Sequence, residues 1–323
     1  MDFLDDPDLS PISLASSTGS SITLPWAKSE TGQLIATLGT GCHSAKLQSD
    51  SAVAPFETQN ALSASTYREC IRFRNEPGTK SSFHKAITLS QGSQSEHMSG
   101  SAEVSAGCKF AKISGSGTYN KSVTENQDDL KASVQASIRT GVIYFDQPRL
   151  SLDAIADLRR SRRYRNSFSR KYGDYYVASL RLGADAGILA SVSTKDCSES
   201  ESLEVKAKLK VLWWSVEKTY HETSESHEAW SAFDITAFET LTGSNVQNTA
   251  SESPHKVALE YIQRVDNLEE RVRDKMRELG LQEDKVLKPA DVQKVCESGL
   301  VSEITLLPNT QIRDYKATLI ERE

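Results

Sequence analysis

No run of eighteen apolar residues occurs anywhere in this 323-residue chain, whereas a helix needs about 20 to cross the hydrocarbon core of a bilayer. A helical membrane span is therefore excluded. The first residues, MDFLDDPDLSP, are acidic and lack the basic start and apolar core of a secretory leader. Synthesis in the cytoplasm is the expectation, with membrane association requiring release by lysis or an unconventional route. The five cysteines (Cys42, Cys70, Cys108, Cys197, Cys296) are odd in number and contain no CxxC pair. Reduced thiols are expected, rather than a zinc ribbon or a thioredoxin-like site.

Catalytic signatures are missing as well. There is no Gly-x-Ser-x-Gly elbow, and GTKSS at Gly78 lacks the residue order of a P-loop. His221 and Glu222 begin like a zinc-protease motif, but Glu225 stands where the second His belongs, and His227 falls off the same helical face. Gly115 and Gly117 lack the third glycine of a dinucleotide site. The expectation is a non-enzyme with no cofactor and no metal. A net charge of −6 argues against nucleic acid as a partner.

What the chain does contain is a lean but sufficient apolar fraction of 37%, enough for a core. Residues 1–30, rich in Ser, Thr, Pro and acid, read as a flexible tail. Residues 31–250 read as the core domain, and 251–323 as a C-terminal helix and tail packed on it. Strands are expected over 32–40, 67–73 and 141–145. Leu130, Val134 and Ile138 recur at helical spacing, and Ser151 is placed to cap a helix over 150–158. A long helix runs from Pro254 to Gly280 with Ala258, Ile262, Val265, Leu268, Val272, Met276 and Leu279 in one stripe.

Arg159, Arg160, Arg162, Arg163 and Arg165 form the main exception to an acidic chain. Three readings stay open for them: a solvated helix end, contact with anionic lipid headgroups, and a nucleic-acid or import patch.

The stretch 171–193, KYGDYYVASLRLGADAGILASVS, reads as one long strand bent near Gly183. It carries Tyr172-Gly173, then Tyr175 and Tyr176, then a six-residue gap to Gly183-Ala184. This resembles the signature of the membrane-attack-complex/perforin family, with Tyr175 standing for the family's His and Ala184 for its second Gly. The resemblance implies an α+β fold: a bent, twisted antiparallel four-stranded sheet flanked by helical clusters. In pore-forming members those clusters unwind into membrane-spanning hairpins. The resemblance puts the first such cluster upstream of the signature, where Val104, Ala106, Cys108 and Phe110 fall at every second position; read from its residues alone, the same segment is equally a Ser/Gly-rich surface loop with a short helix.

Beyond the signature, LEVKAKLKVLW places Leu203, Val205, Ala207, Leu209, Val211 and Trp213 on one face of an extended chain, with Glu204, Lys206, Lys208 and Lys210 on the other. A strand is expected here, with a bulge where the parity shifts at Trp213-Trp214. Two strand readings stay open: a long strand of the native sheet, or one of a membrane-spanning hairpin, which needs roughly 9–11 such residues. Two functions follow. One is an oligomerising pore-former whose partners are a lipid membrane, further copies of itself and a separate membrane-recognition protein. The other is a non-lytic, soluble structural or interaction protein with the same fold.

Overall fold

The computed structural model describes residues 20–320 apart from 29–31, 77–81, 90–93, 100–112, 161–166, 196–197, 216–232, 248–253 and 284. The chain enters its sheet at β1 (Ile22–Pro25), inside the stretch whose composition suggests tail, and then reaches β2 (Gly41–Cys42). Over 32–40 the described pairing is a single bridge between Lys28 and Leu34, not a strand. Helix α1 (Ala64–Glu69) starts where the Ser63 side chain accepts from the Thr66 amide, and β3 (Ile71–Asn75) follows. The strand expected over 67–73 is thus half helix, because a capping serine outweighs a short alternating run.

Next come β4 (Ser82–Thr88), α2 (Gly115–Glu125) and β5 (Leu130–Phe145). Helix α3 (Leu152–Arg160) is capped by Ser151, whose hydroxyl accepts from the Ala154 amide at 3.1 Å. After α4 (Ser167–Tyr172) and β6 (Tyr175–Val192), α5 (Glu199–Ser215) occupies the expected alternating strand. The chain continues through β7 (Asp234–Glu239), β8 (Ser244–Gln247), α6 (Pro254–Asp266), α7 (Leu268–Glu278), α8 (Pro289–Glu297), β9 (Val301–Pro308) and α9 (Arg313–Ile320). The long C-terminal helix is interrupted once, at Asn267, between α6 and α7. Strand β9 lies beside β6 inside the sheet, so the last part of the chain is a member of the core rather than a tail packed on it.

The fold is α+β: among the described residues, one antiparallel, nine-stranded sheet with helices against it. Four tracks make its body, although only β5 and β6 are long and continuous. β3 and β4 share one side of β5, while β9 and β7 share the outer side of β6. Both outer tracks change strand at one level. β3 stops opposite Gly141 and β4 starts opposite Ser137. Likewise β9 stops opposite Leu182 and β7 starts opposite Ala186. At that level the β5–β6 register shifts between Arg139 and Gly141, and the β6–β9 register between Arg181 and Leu182. An extra residue in one strand bends it and tightens its twist.

The helical spacing of Leu130, Val134 and Ile138 belongs to a strand instead. These residues with Ala132 and Ala136 point to one face and join the main core, together with Ile188 and Ala190 of β6. Residues at i and i+4 share a face in a strand as well as in a helix. The intervening Lys131, Ser133, Gln135 and Arg139 point to the other face and are buried too.

Candidate functional site

The signature residues sit where the near end of β6 is knitted to three other segments. Gly173 takes φ +83°, and a Cβ there would run into the Cys42 backbone. Glycine is the residue that adopts this conformation without strain. Asp174 receives the Ser44 amide at 2.8 Å, its own amide donates to the Cys42 carbonyl, and its carbonyl accepts from the Asn309 amide. Tyr172 is buried and its hydroxyl donates to Asp157 at 2.9 Å, beside Lys171, whose Nζ donates to the same oxygen at 2.7 Å. Those two bonds, Lys171's first, hold the Asp157 carboxyl below its usual pKa. Tyr175 and Tyr176 are buried between β2 and β9. The aromatic-glycine half of the motif is therefore an anchor point of the sheet.

The other half marks the level where the tracks change. Gly183 has φ +156°, and a Cβ there would be driven into the Ile138 carbonyl oxygen. Ala184 is fully buried. Beside them lies an ion cluster that the sequence alone did not reveal. Arg139 Nη1 donates to Asp185 at 2.8 Å, and its Nε donates to Glu303 at 2.8 Å, with side-chain exposures of 9%, 4% and 13% respectively. Ser137 also bonds Asp185. Burial works against the Arg139 charge, but Asp185 and Glu303 more than offset it, so its pKa is raised. Charges this deep stand only when paired. Opposite Ala186, the residue after Asp185, Glu239 of β7 is wholly buried and pairs with Arg264 of α6 at 3.0 Å and with Arg271 of α7. The sequence signal for these contacts was only a charge inside an apolar run; its partners lie far away in the chain.

At the far end of the sheet, two insertions of equal length replace simple turns: residues 89–129 between β4 and β5, and 193–233 between β6 and β7. All four strands end together there, since Thr88 faces Lys131, Leu130 faces Val192 and Ser191 faces Asp234. The second insertion includes 203–213, which is part of α5 and not the next strand. This corrects the strand assignment of Leu203, Val205, Ala207, Leu209, Val211 and Trp213. On α5, Leu209 is buried in the main core, Val205 packs against it in part, Ala207 is exposed and Leu203 is 62% exposed.

The first insertion lies on the opposite, polar face. Tyr119 and Val123 of α2 form a small separate cluster with Leu189 and Phe238. His97, from a short turn at Gln94–His97, bonds Thr88 and Ser133. Val104, Ala106, Cys108 and Phe110 lie outside the described residues, as do Arg162, Arg163 and Arg165. Arg159 and Arg160 end α3, in the connection that joins β5 to β6 at the end opposite the insertions. Arg160 pairs with Asp157 at 3.8 Å, as befits a helix end. Among the described residues, no three His, Cys, Asp or Glu side chains are grouped to hold a metal ion. No described helix is long and apolar enough to cross a membrane.

No protein-family model and no curated protein sequence matches the chain. Several solved structures do. GNIP1Aa from Chromobacterium piscinae is 13% identical, with 93% of this chain and 56% of that one covered at a TM-score of 0.33. A non-hemolytic pneumolysin from Streptococcus pneumoniae is 14% identical over 81% of this chain and 43% of its own, at a TM-score of 0.29. The chain thus spans about half the length of these relatives. A protein with a MAC/Perforin domain from Bacteroides thetaiotaomicron is 10% identical over 82% and 66%, at 0.26.

Proposed function

We propose that this chain binds membranes, assembles with further copies of itself and inserts residues 89–129 and 193–233 as two amphipathic β-hairpins. The observation that carries the reading is α5. Residues 203–213 have one apolar face only when extended, yet they rest as a helix. Extended, they would supply the roughly 9–11 residues that a tilted membrane strand requires, in the arm that leads away from β6. Continuation from β4, β5 and β7 would run alongside, since the four strands end in register. The polar face of β5, hidden under the first insertion, suits the water-filled side of such a barrel, while its apolar face suits lipid.

Recognition of the target falls to a separate membrane-bound partner or to the basic run from Arg159, which lies away from the inserting end. No enzymatic step and no cofactor is assigned. Vesicles loaded with a self-quenched dye, with and without anionic lipid, test the reading. Dye release accompanied by ring-shaped oligomers is expected. Absence of both at every composition, with the protein folded, would instead favour the non-lytic interaction protein.

A further inference from the structure

His97 is fully buried although it belongs to an insertion. Its Nε2 lies 2.7 Å from Thr88 Oγ1 on β4, and its Nδ1 lies 2.8 Å from Ser133 Oγ on β5. Gln135 Nε2 donates to its carbonyl at 2.5 Å. The turn is joined to α2 through Asn120, whose Oδ1 accepts from the Ser99 amide at 2.7 Å and whose Nδ2 donates to Ser99 Oγ at 3.2 Å. One imidazole therefore ties the turn at 94–99 to both strands beneath it, and through Asn120 it is linked to α2, which also packs on Leu189 and Phe238.

The surroundings favour the neutral ring. On β4, His84 shares this face by register, and on β5 Lys131 does, held by the Asn126 carbonyl at 2.8 Å with Asp128 and Asp129 near it. Helix α2 brings Tyr119 and Asn120, uncharged, while its Lys121 and Glu125 pair with each other in solvent. Glu96, in the same turn, is exposed. The charges that act on the ring are thus Lys131 and His84, both cations when protonated. The two hydroxyls could still accept from a doubly protonated ring, so the obstacle to protonation is the buried charge itself and not a lost bond.

We infer that His97 is an acid-released latch, which pins the first insertion to β4 and β5 while neutral and frees it on protonation. As a device for starting insertion, it rests on the membrane reading above; as a latch, it does not. Burial first, then Lys131 and His84, bring its pKa down from 6.5 to about 4 while docked. A released ring returns to its ordinary value. The docked state is therefore fully favoured above about pH 6.5 and loses ground as pH falls from there toward about 4. From about pH 7.5 to about pH 5 the release equilibrium should rise about 30-fold.

Hydrogen exchange of the full chain at those two pH values, corrected for intrinsic exchange rates, reads the opening of residues 94–99 and 113–125. The expected result is a rise of about 30-fold in wild type, confined to those residues, and no such rise in His97→Gln. No rise in wild type, or an equal rise in His97→Gln, would overturn the latch. If His97→Gln fails to fold, Lys131→Glu replaces it. A carboxylate near the ring should blunt the acid step, and a step of undiminished size would overturn the latch equally. Dye release from vesicles of mixed neutral and anionic lipid is measured on the same samples. Opening without release at acid pH upholds the latch and removes the membrane reading.

Discussion

Strand β6 and helix α5 are near neighbours in the chain and meet opposite fates. β6 is buried along almost its whole length because structure covers both of its faces, α2 on one and the main core with α6 and α7 on the other. Its apolar residues consequently need no alternation. In α5 the apolar residues do alternate, and a helix turning 100° per residue spreads them in steps of about 200°. They end up all around the axis, with Leu209 in the core and Leu203 in water. Alternation tells which conformation would gather a segment's apolar side chains on one face. What the segment rests as depends on what covers it. A helix that leaves Leu203 and Ala207 to solvent and buries Leu209 is held less firmly there than a strand covered on both sides.

The comparison can be broken at several points. The largest effect is expected in the middle of the sheet. Asp185→Ala leaves the Arg139 guanidinium buried with only Glu303 and should cost roughly 3–5 kcal/mol, read from the urea midpoint at unchanged m-value. A loss under about 1 kcal/mol would mean that the cluster is wetter than its burial indicates. Next comes Leu209→Ala, which removes the buried anchor of α5 and should destabilise by about 2–4 kcal/mol. Hydrogen exchange should show that loss concentrated in 199–215. If β6 and β7 open equally, the helix is no separate unit and the contrast fails.

The smallest change in stability is the sharpest test of function. Ala207→Lys alters an exposed position of the resting helix, at the middle of 203–213, and should shift stability by no more than about 0.5 kcal/mol. On an extended strand it would put a charge on the lipid face, at about 2–4 kcal/mol near the bilayer midplane. The thermal midpoint should stay within a few degrees while dye release falls to background. Release at wild-type rates would show that this face does not meet lipid.

Parts of the fold were legible in the chain. The long strand bent at Gly183, the Ser151 cap and the buried stripe of α6 and α7 each follow from local chemistry: a missing Cβ, a hydroxyl within reach of an amide, a 3.6-residue period. Other parts were misread where one pattern serves two conformations. Leu130, Val134 and Ile138 fit strand and helix alike, and only the polar residues between them, buried under the first insertion, distinguish the two. The candidate site was half visible. Tyr172, Gly173 and Gly183 could be singled out by spacing, but His97 could not, since an isolated histidine between Glu96 and Met98 carries no signal until Thr88 and Ser133 are brought to it.

By itself, then, the sequence determined where the backbone needs glycine, where helices start and which segment would be amphipathic if extended. These are properties of a residue and its near neighbours. Tertiary structure alone decided that 203–213 rests as a helix, that Arg139 finds Asp185 and Glu303, and that a histidine near the start of an insertion bridges β4 and β5. Each depends on which surfaces are covered and which charges are paired across long stretches of chain, and burial of that kind is a property of the assembled sheet.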